Sequence, residues 1–191
     1  VIELKKEYNI NIVRKEMWLG DSFIKVLTTL KESPAMGAGL CSPYETAIFR
    51  GWQRGHLLMR SAPSAGGKTT RAIGDLCNVS IPYLWDSEQQ AFVKNQNYQG
   101  KGFYIHTESD QEYEIQPKFM SYICDIPYHV ILDGSFTPQE EKRMIEAVEM
   151  MEHSIMLIDM PNFTIPLLRV TIKEMAITEH CCYGVFDYIQ D

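Results

Sequence analysis

No stretch of the 191 residues approaches the roughly 18 consecutive apolar residues that a membrane-spanning helix requires, so no such helix is expected. Cysteine is scarce and poorly arranged for cross-linking. Cys41, Cys77, Cys124, Cys181 and Cys182 make an odd number without a C-x-x-C pair. That speaks against a disulfide framework or a zinc site and fits a reducing compartment. Positive charge is also short, since 18 Lys and Arg against 25 Asp and Glu leave a net charge of -7. A stand-alone nucleic-acid binder presents a basic face, and the chain as a whole has no such excess. No internal repeat or low-complexity tract stands out. What is present is the composition of an ordinary globular protein, 45% hydrophobic and 23% charged, at a length that supports one sizeable core.

From Val1 to Ser33 the apolar residues follow helical spacing. Ile12, Val13, Met17 and Trp18, then Phe23, Val26, Leu27 and Leu30, recur every three to four positions, with Gly20 breaking the run. Pro34 to Tyr44 is rich in Pro, Gly and Ser and reads as a linker. His56 to Arg60 is a short buried-strand candidate, followed by a helical pattern from Lys68 to about Asn78. A surface hairpin is expected within Ile81–Lys101, a strand at Gly102–Thr107, and a helix over Glu112–Cys124 that Pro117 weakens. Thr137-Pro138-Gln139-Glu140 is a capping box that opens a helix, and Thr164 caps another to about Glu179. Ile155–Ile158 and Cys182–Phe186 complete the strands. Strands alternating with helices imply an α/β domain with a mostly parallel sheet flanked by helices. The opening Val1 and the apolar run Tyr183–Ile189 just before the last residue lead us to expect a piece of something longer.

Chemistry concentrates in Ala62-Pro63-Ser64-Ala65-Gly66-Gly67-Lys68-Thr69, which matches the phosphate-loop pattern with Ala in the leading place. Small residues let successive backbone N–H groups close around phosphates, and the following helix points its positive end at them. Lys68 would bring a point charge to the phosphate oxygens, Thr69 would ligate Mg²⁺, and Thr70 extends the cradle. ATP with Mg²⁺ is therefore the expected ligand. Hydrolysis needs two further carboxylates. Glu108, beyond the apolar strand, is placed to orient water at the sheet's C-terminal edge. For the metal-supporting acid, Asp159 after Ile155–Ile158 and Asp187 after Tyr183–Phe186 compete, and the pattern leaves both open. His106 reads as a satisfied core histidine, His180-Cys181-Cys182 as buried packing rather than a metal site, and the methionines as core.

These residues resemble the DnaB-type replicative DNA helicases of phage and prophage character, over roughly Gly39 to Asp191. Gly51-Trp52-Gln53-Arg54-Gly55-His56-Leu57 looks like that family's G-L-Q-x-G-D-L, and the loop is similar to its A-x-P-S-x-G-K-T with Pro and Ser displaced by one position. Phe103 to Ser109 looks like the strand ending in S-L-E-M, whose Glu is the family's catalytic base. Met156 to Ile165 resembles L-Y-I-D-D-x-P-x-x-x-I, and Gly184 to Gln190 resembles I-V-I-D-Y-L-Q. The resemblance implies a RecA-like P-loop NTPase with Glu108 as catalytic base and Asp187 beside Thr69 at the metal, demoting Asp159. It implies a helical linker arm over 1–38 and the N-terminal part of an ATPase core over 39–191. It also implies a ring (a hexamer) in the intact protein, contact with single-stranded DNA through regions beyond Asp191, and a cytoplasmic setting in a bacterial or phage-infected cell. Two other readings stay open at this point, a RecA- or clock-protein-like ATPase and a non-hydrolysing nucleotide-binding adaptor or loader.

Overall fold

The computed structural model describes residue 18 and residues 23–32, 36–63, 66–151 and 153–187. The chain divides into two units, Val1–Ala35 and Met36–Asp191. In the first, α1 (Phe23–Glu32) carries Phe23, Val26, Leu27 and Leu30 along one stripe, and none of its residues is buried. Ile12, Val13, Met17 and the break expected at Gly20 lie outside the described residues.

The second unit is built around β3 (Gly102–His106), all five residues of which are buried. A parallel strand covered on both faces reads as such a continuous apolar run. β4 (Ile155–Asp159) and β5 (Tyr183–Asp187) flank it in the order β4-β3-β5, both parallel to it. The register is flush. His106 stands opposite Asp159 on one side and Asp187 on the other, so three polar residues end the three strands along one line. Side chains alternate across the sheet. Tyr104 enters one core with α3 (Lys68–Ser80) and α4 (Gln116–Cys124), while Phe103 and Ile105 enter a smaller one with Met175 of α7 (Ile165–Ile177). The mixed α/β class and the parallel sheet flanked by helices are thus as expected.

Local chemistry accounts for the helix starts. Thr137 accepts from the Glu140 N–H while the Glu140 carboxylate accepts from the Thr137 N–H at 2.7 Å, the reciprocal cap that opens α6 (Pro138–Met150). Thr164 caps α7 by accepting from the Leu167 N–H. The helix expected over Glu112–Cys124 begins one residue earlier, as a π-helical turn at Gln111–Ile115, and continues as α4. Pro117 lies at the start of α4, where its missing N–H does least harm. The hairpin pairs β1 (Tyr83–Asp86) with β2 (Ala91–Lys94) antiparallel. The short helices α2 (Pro43–Phe49) and α5 (Tyr128–Leu132) complete the elements among the described residues. Among the described residues no helix is long and apolar enough to cross a membrane.

Two expectations fail. His56–Arg60 forms no strand, and the residues that would share one strand face, Leu57 and Met59, are 86% and 76% exposed. A strand is held by its ladder, and no described strand pairs with this segment. The composition-based linker is also misread over 36–42. Ala38 and Leu40 are buried, Ala38 bridges Trp52, and Asn78 donates to the Gly39 carbonyl at 2.7 Å. Glycine here serves close packing, because a Cβ on Gly37 would stand 2.5 Å from the Trp52 backbone. The second unit accordingly begins at Met36.

Candidate functional site

The segment expected to be a phosphate loop, Ala62 to Thr69, runs into the N-terminus of α3. Gly67 is the N-cap at φ 74°, a left-handed conformation that suits glycine. Gly66 donates to the Pro63 carbonyl at 3.0 Å, and a Cβ there would meet both Ala62 and that carbonyl oxygen at 2.9 Å. The small residues are therefore required by the turn itself. Lys68 and Thr69 are half-buried in the first turn of α3, and Thr70 is exposed. Ser64 and Ala65 lie outside the described residues.

The loop is tied down on its incoming side. Arg60, two residues before Ala62, pairs with Glu45 at 2.7 Å and with the buried Asp75 of α3. The Asp75 carboxylate also accepts the Cys41 N–H at 2.9 Å. The Arg60 hydrogen bond holds the Glu45 carboxyl below its ordinary value, against a smaller opposing effect of burial. Both ends of the loop thus converge on α3, one through Arg60 and the other through the peptide chain. Sequence reasoning missed this clamp, whose one signal is an aspartate within the buried length of α3.

Across from the loop, at the C-terminal end of β5, the half-buried Asp187 meets Thr69. The Thr69 hydroxyl donates to Asp187 Oδ2 at 2.7 Å. The same oxygen accepts the Tyr104 phenol at 2.5 Å. Burial first, then the charge of Asp187, pushes the Tyr104 hydroxyl far above its ordinary value, so it is only ever a donor to this carboxylate. Tyr104 is another residue the sequence reading missed, since in the run Gly102–His106 it looks like simple core.

The rival acid ends elsewhere. Asp159 has a side chain 58% exposed and faces His106, whose Nδ1 is 3.7 Å from Asp159 Oδ1. His106 is buried, but it is not the satisfied core histidine expected. Its Nε2 lies 3.4 Å from Gln111 Oε1, and Nδ1 has no hydrogen-bond partner among the described residues. Glu108 is exposed two residues beyond the end of β3, on the same sheet edge as Asp187. The structure therefore gathers Gly66, Gly67, Lys68, Thr69 and Asp187 at one corner, with Glu108 along that edge and Asp159 beyond the central strand.

The donor set at the corner suits Mg²⁺, which is held by one or two protein oxygens and takes water and phosphate oxygens for the rest of its octahedron. Among the described residues no group of three or more His, Cys, Asp or Glu could hold a metal, His180-Cys181-Cys182 included. All five cysteines are free. Burial pushes Cys41 up to about 11, with Arg71 partly opposing it, so this thiol is not an activated one. An apolar cleft of about 530 Å³ lined by Phe119, Met120, Met144, Val148, Ile155 and Leu157 has no loop residue in its wall.

No family model matches the chain. The chain is similar to the SPbeta prophage-derived uncharacterized protein YorI of Bacillus subtilis (strain 168), 27% identical over 190 residues. The match covers 99% of this chain and 37% of that protein, so the chain spans little more than a third of the length of this relative.

Proposed function

We propose that the chain is the ATP-binding and hydrolysing core of a DnaB-type replicative DNA helicase, with a RecA-like P-loop fold. The observation that carries this reading is the Thr69–Asp187 hydrogen bond of 2.7 Å. It links the residue after the loop lysine to an acid at the end of a parallel strand. Ligands of open α/β sheets sit at that edge, and helix N-termini favour phosphate. Loop N–H groups and Lys68 would bind the β- and γ-phosphates, while Thr69 and Asp187 would hold Mg²⁺. When bound, Mg²⁺ supplies charge neutralisation at the phosphate oxygens. Glu108 would orient and deprotonate the attacking water. Likeness to a prophage-derived protein supports a phage setting for this activity. Ring formation and contact with single-stranded DNA belong to the full-length protein in this reading.

The test is nucleotide binding and phosphate release by the full-length protein, with and without single-stranded DNA. Lys68→Ala is expected to abolish nucleotide binding, and Glu108→Gln to keep binding while turnover falls by at least about a hundredfold, the scale of a lost general base. Normal hydrolysis by Glu108→Gln removes the assigned base. Absence of hydrolysis by the wild type in both conditions replaces the enzyme with a nucleotide-binding adaptor.

A further inference from the structure

Asp187 Oδ2 accepts hydrogen bonds from two hydroxyls on different elements, Thr69 at 2.7 Å from α3 and Tyr104 at 2.5 Å from the central strand β3. A carboxylate held by one donor can still swivel about its Cβ–Cγ bond. Two donors converging on one oxygen from separate elements fix the plane, and Oδ1 has no side-chain partner among the described residues. Tyr104 is itself 0% exposed and packed edge-to-face on Phe119 with ring centroids 5.5 Å apart. We propose, on the basis of the nucleotide reading above, that Tyr104 is a positioning residue that presents Asp187 to the divalent cation of the bound nucleotide. It also joins the two acids of that reading, because the strand that carries Tyr104 leads directly into Glu108.

A purely structural role makes a different forecast. A buried phenol needs an acceptor, and on that view Asp187 merely satisfies it. Tyr104→Phe removes the hydroxyl and its need together while keeping the ring in the core, so a structural role leaves metal binding unchanged. The experiment uses the full-length protein with a non-hydrolysable ATP analogue. Mn²⁺ binding is followed by electron paramagnetic resonance, analogue binding is measured separately in EDTA, and the melting temperature is taken without metal. Tyr104→Phe is expected to need about tenfold more Mn²⁺ for half-saturation, the scale of one hydrogen bond to a charged group. Affinity for the analogue in EDTA and the melting temperature should stay close to wild type. Equal Mn²⁺ affinity in the two proteins overturns the role of Tyr104 alone. A loss of Mn²⁺ binding matched by an equal loss of analogue binding in EDTA overturns it too, since the defect is then general. Wild-type protein that binds neither Mn²⁺ nor the analogue overturns the nucleotide reading, and the positioning role with it.

Discussion

The two faces of the parallel sheet are covered very differently. On the face that Tyr104 joins, α3 buries every residue from Ile73 to Ser80. On the face that Phe103 and Ile105 join, α7 buries only Met175 and leaves Ile165, Leu167, Val170 and Ile177 exposed. Apolar burial stabilises in proportion to area removed from water, so the α3 face carries the greater share of the fold's stability. It also carries the candidate site, since Thr69 and Tyr104 reach Asp187 from that side. The site is thus built on the better-packed half of the molecule, where a hydroxyl can be held to a carboxylate without slack.

Substitutions can break this contrast. The largest effect is expected at Leu76, which is fully buried in α3. Leu76→Ala should cost about 2–5 kcal/mol in denaturant unfolding, the range for a buried leucine truncated in a core. A loss no larger than that at an exposed α7 position would remove the asymmetry. Gly184 on β5 is the tight point of the thin face, because a Cβ there would run into the Phe103 ring. Gly184→Ala should therefore cost about 1–3 kcal/mol by overpacking, measured the same way.

The next test is at the polar border of the α3 face. Glu45 has its folded pKa lowered from 4.5 by the Arg60 hydrogen bond, with burial opposing. Its contribution is therefore fully present above about 4.5 and is lost as pH falls through the lower folded value. Glu45→Gln should cost less than about 1 kcal/mol at neutral pH, given solvent screening of a partly exposed pair. The difference from wild type should disappear in acid. The smallest effect belongs to Val170, 61% exposed on α7, where Val170→Ser should change stability by less than about 0.5 kcal/mol.

Features held by local chemistry were legible in the sequence. The Thr137 box, the Thr164 cap, the hairpin and the run Gly102–His106 all depend on residues within a few positions of each other. Gly66 and Gly67 belong to the same group, because the turn demands them. What the residue pattern left open was the choice between Asp159 and Asp187. Asp187 is the one that meets Thr69, across 118 positions, and apolar-run-plus-Asp spacing does not encode such a contact. Tyr104 was hidden for a related reason, since its ring satisfies the apolar pattern and only its hydroxyl belongs to the site. His56–Arg60 misled in the opposite direction, because an apolar run is necessary for a buried strand but a paired neighbour is what makes one.

The burial of α3 has a mechanical consequence. Its last eight residues are sealed, while Lys68 and Thr69 are half-buried and Thr70 is exposed. Such a helix behaves as a cantilever, built into the core at Ser80 and projecting toward Lys68. A load applied at the tip bends the first turn and decays before it reaches the embedded length. The chain leading into the loop is nevertheless anchored, because Arg60 pairs with Asp75 midway along α3. The segment entering the loop is therefore fastened, at Arg60, to the embedded length of the same helix whose first turn projects.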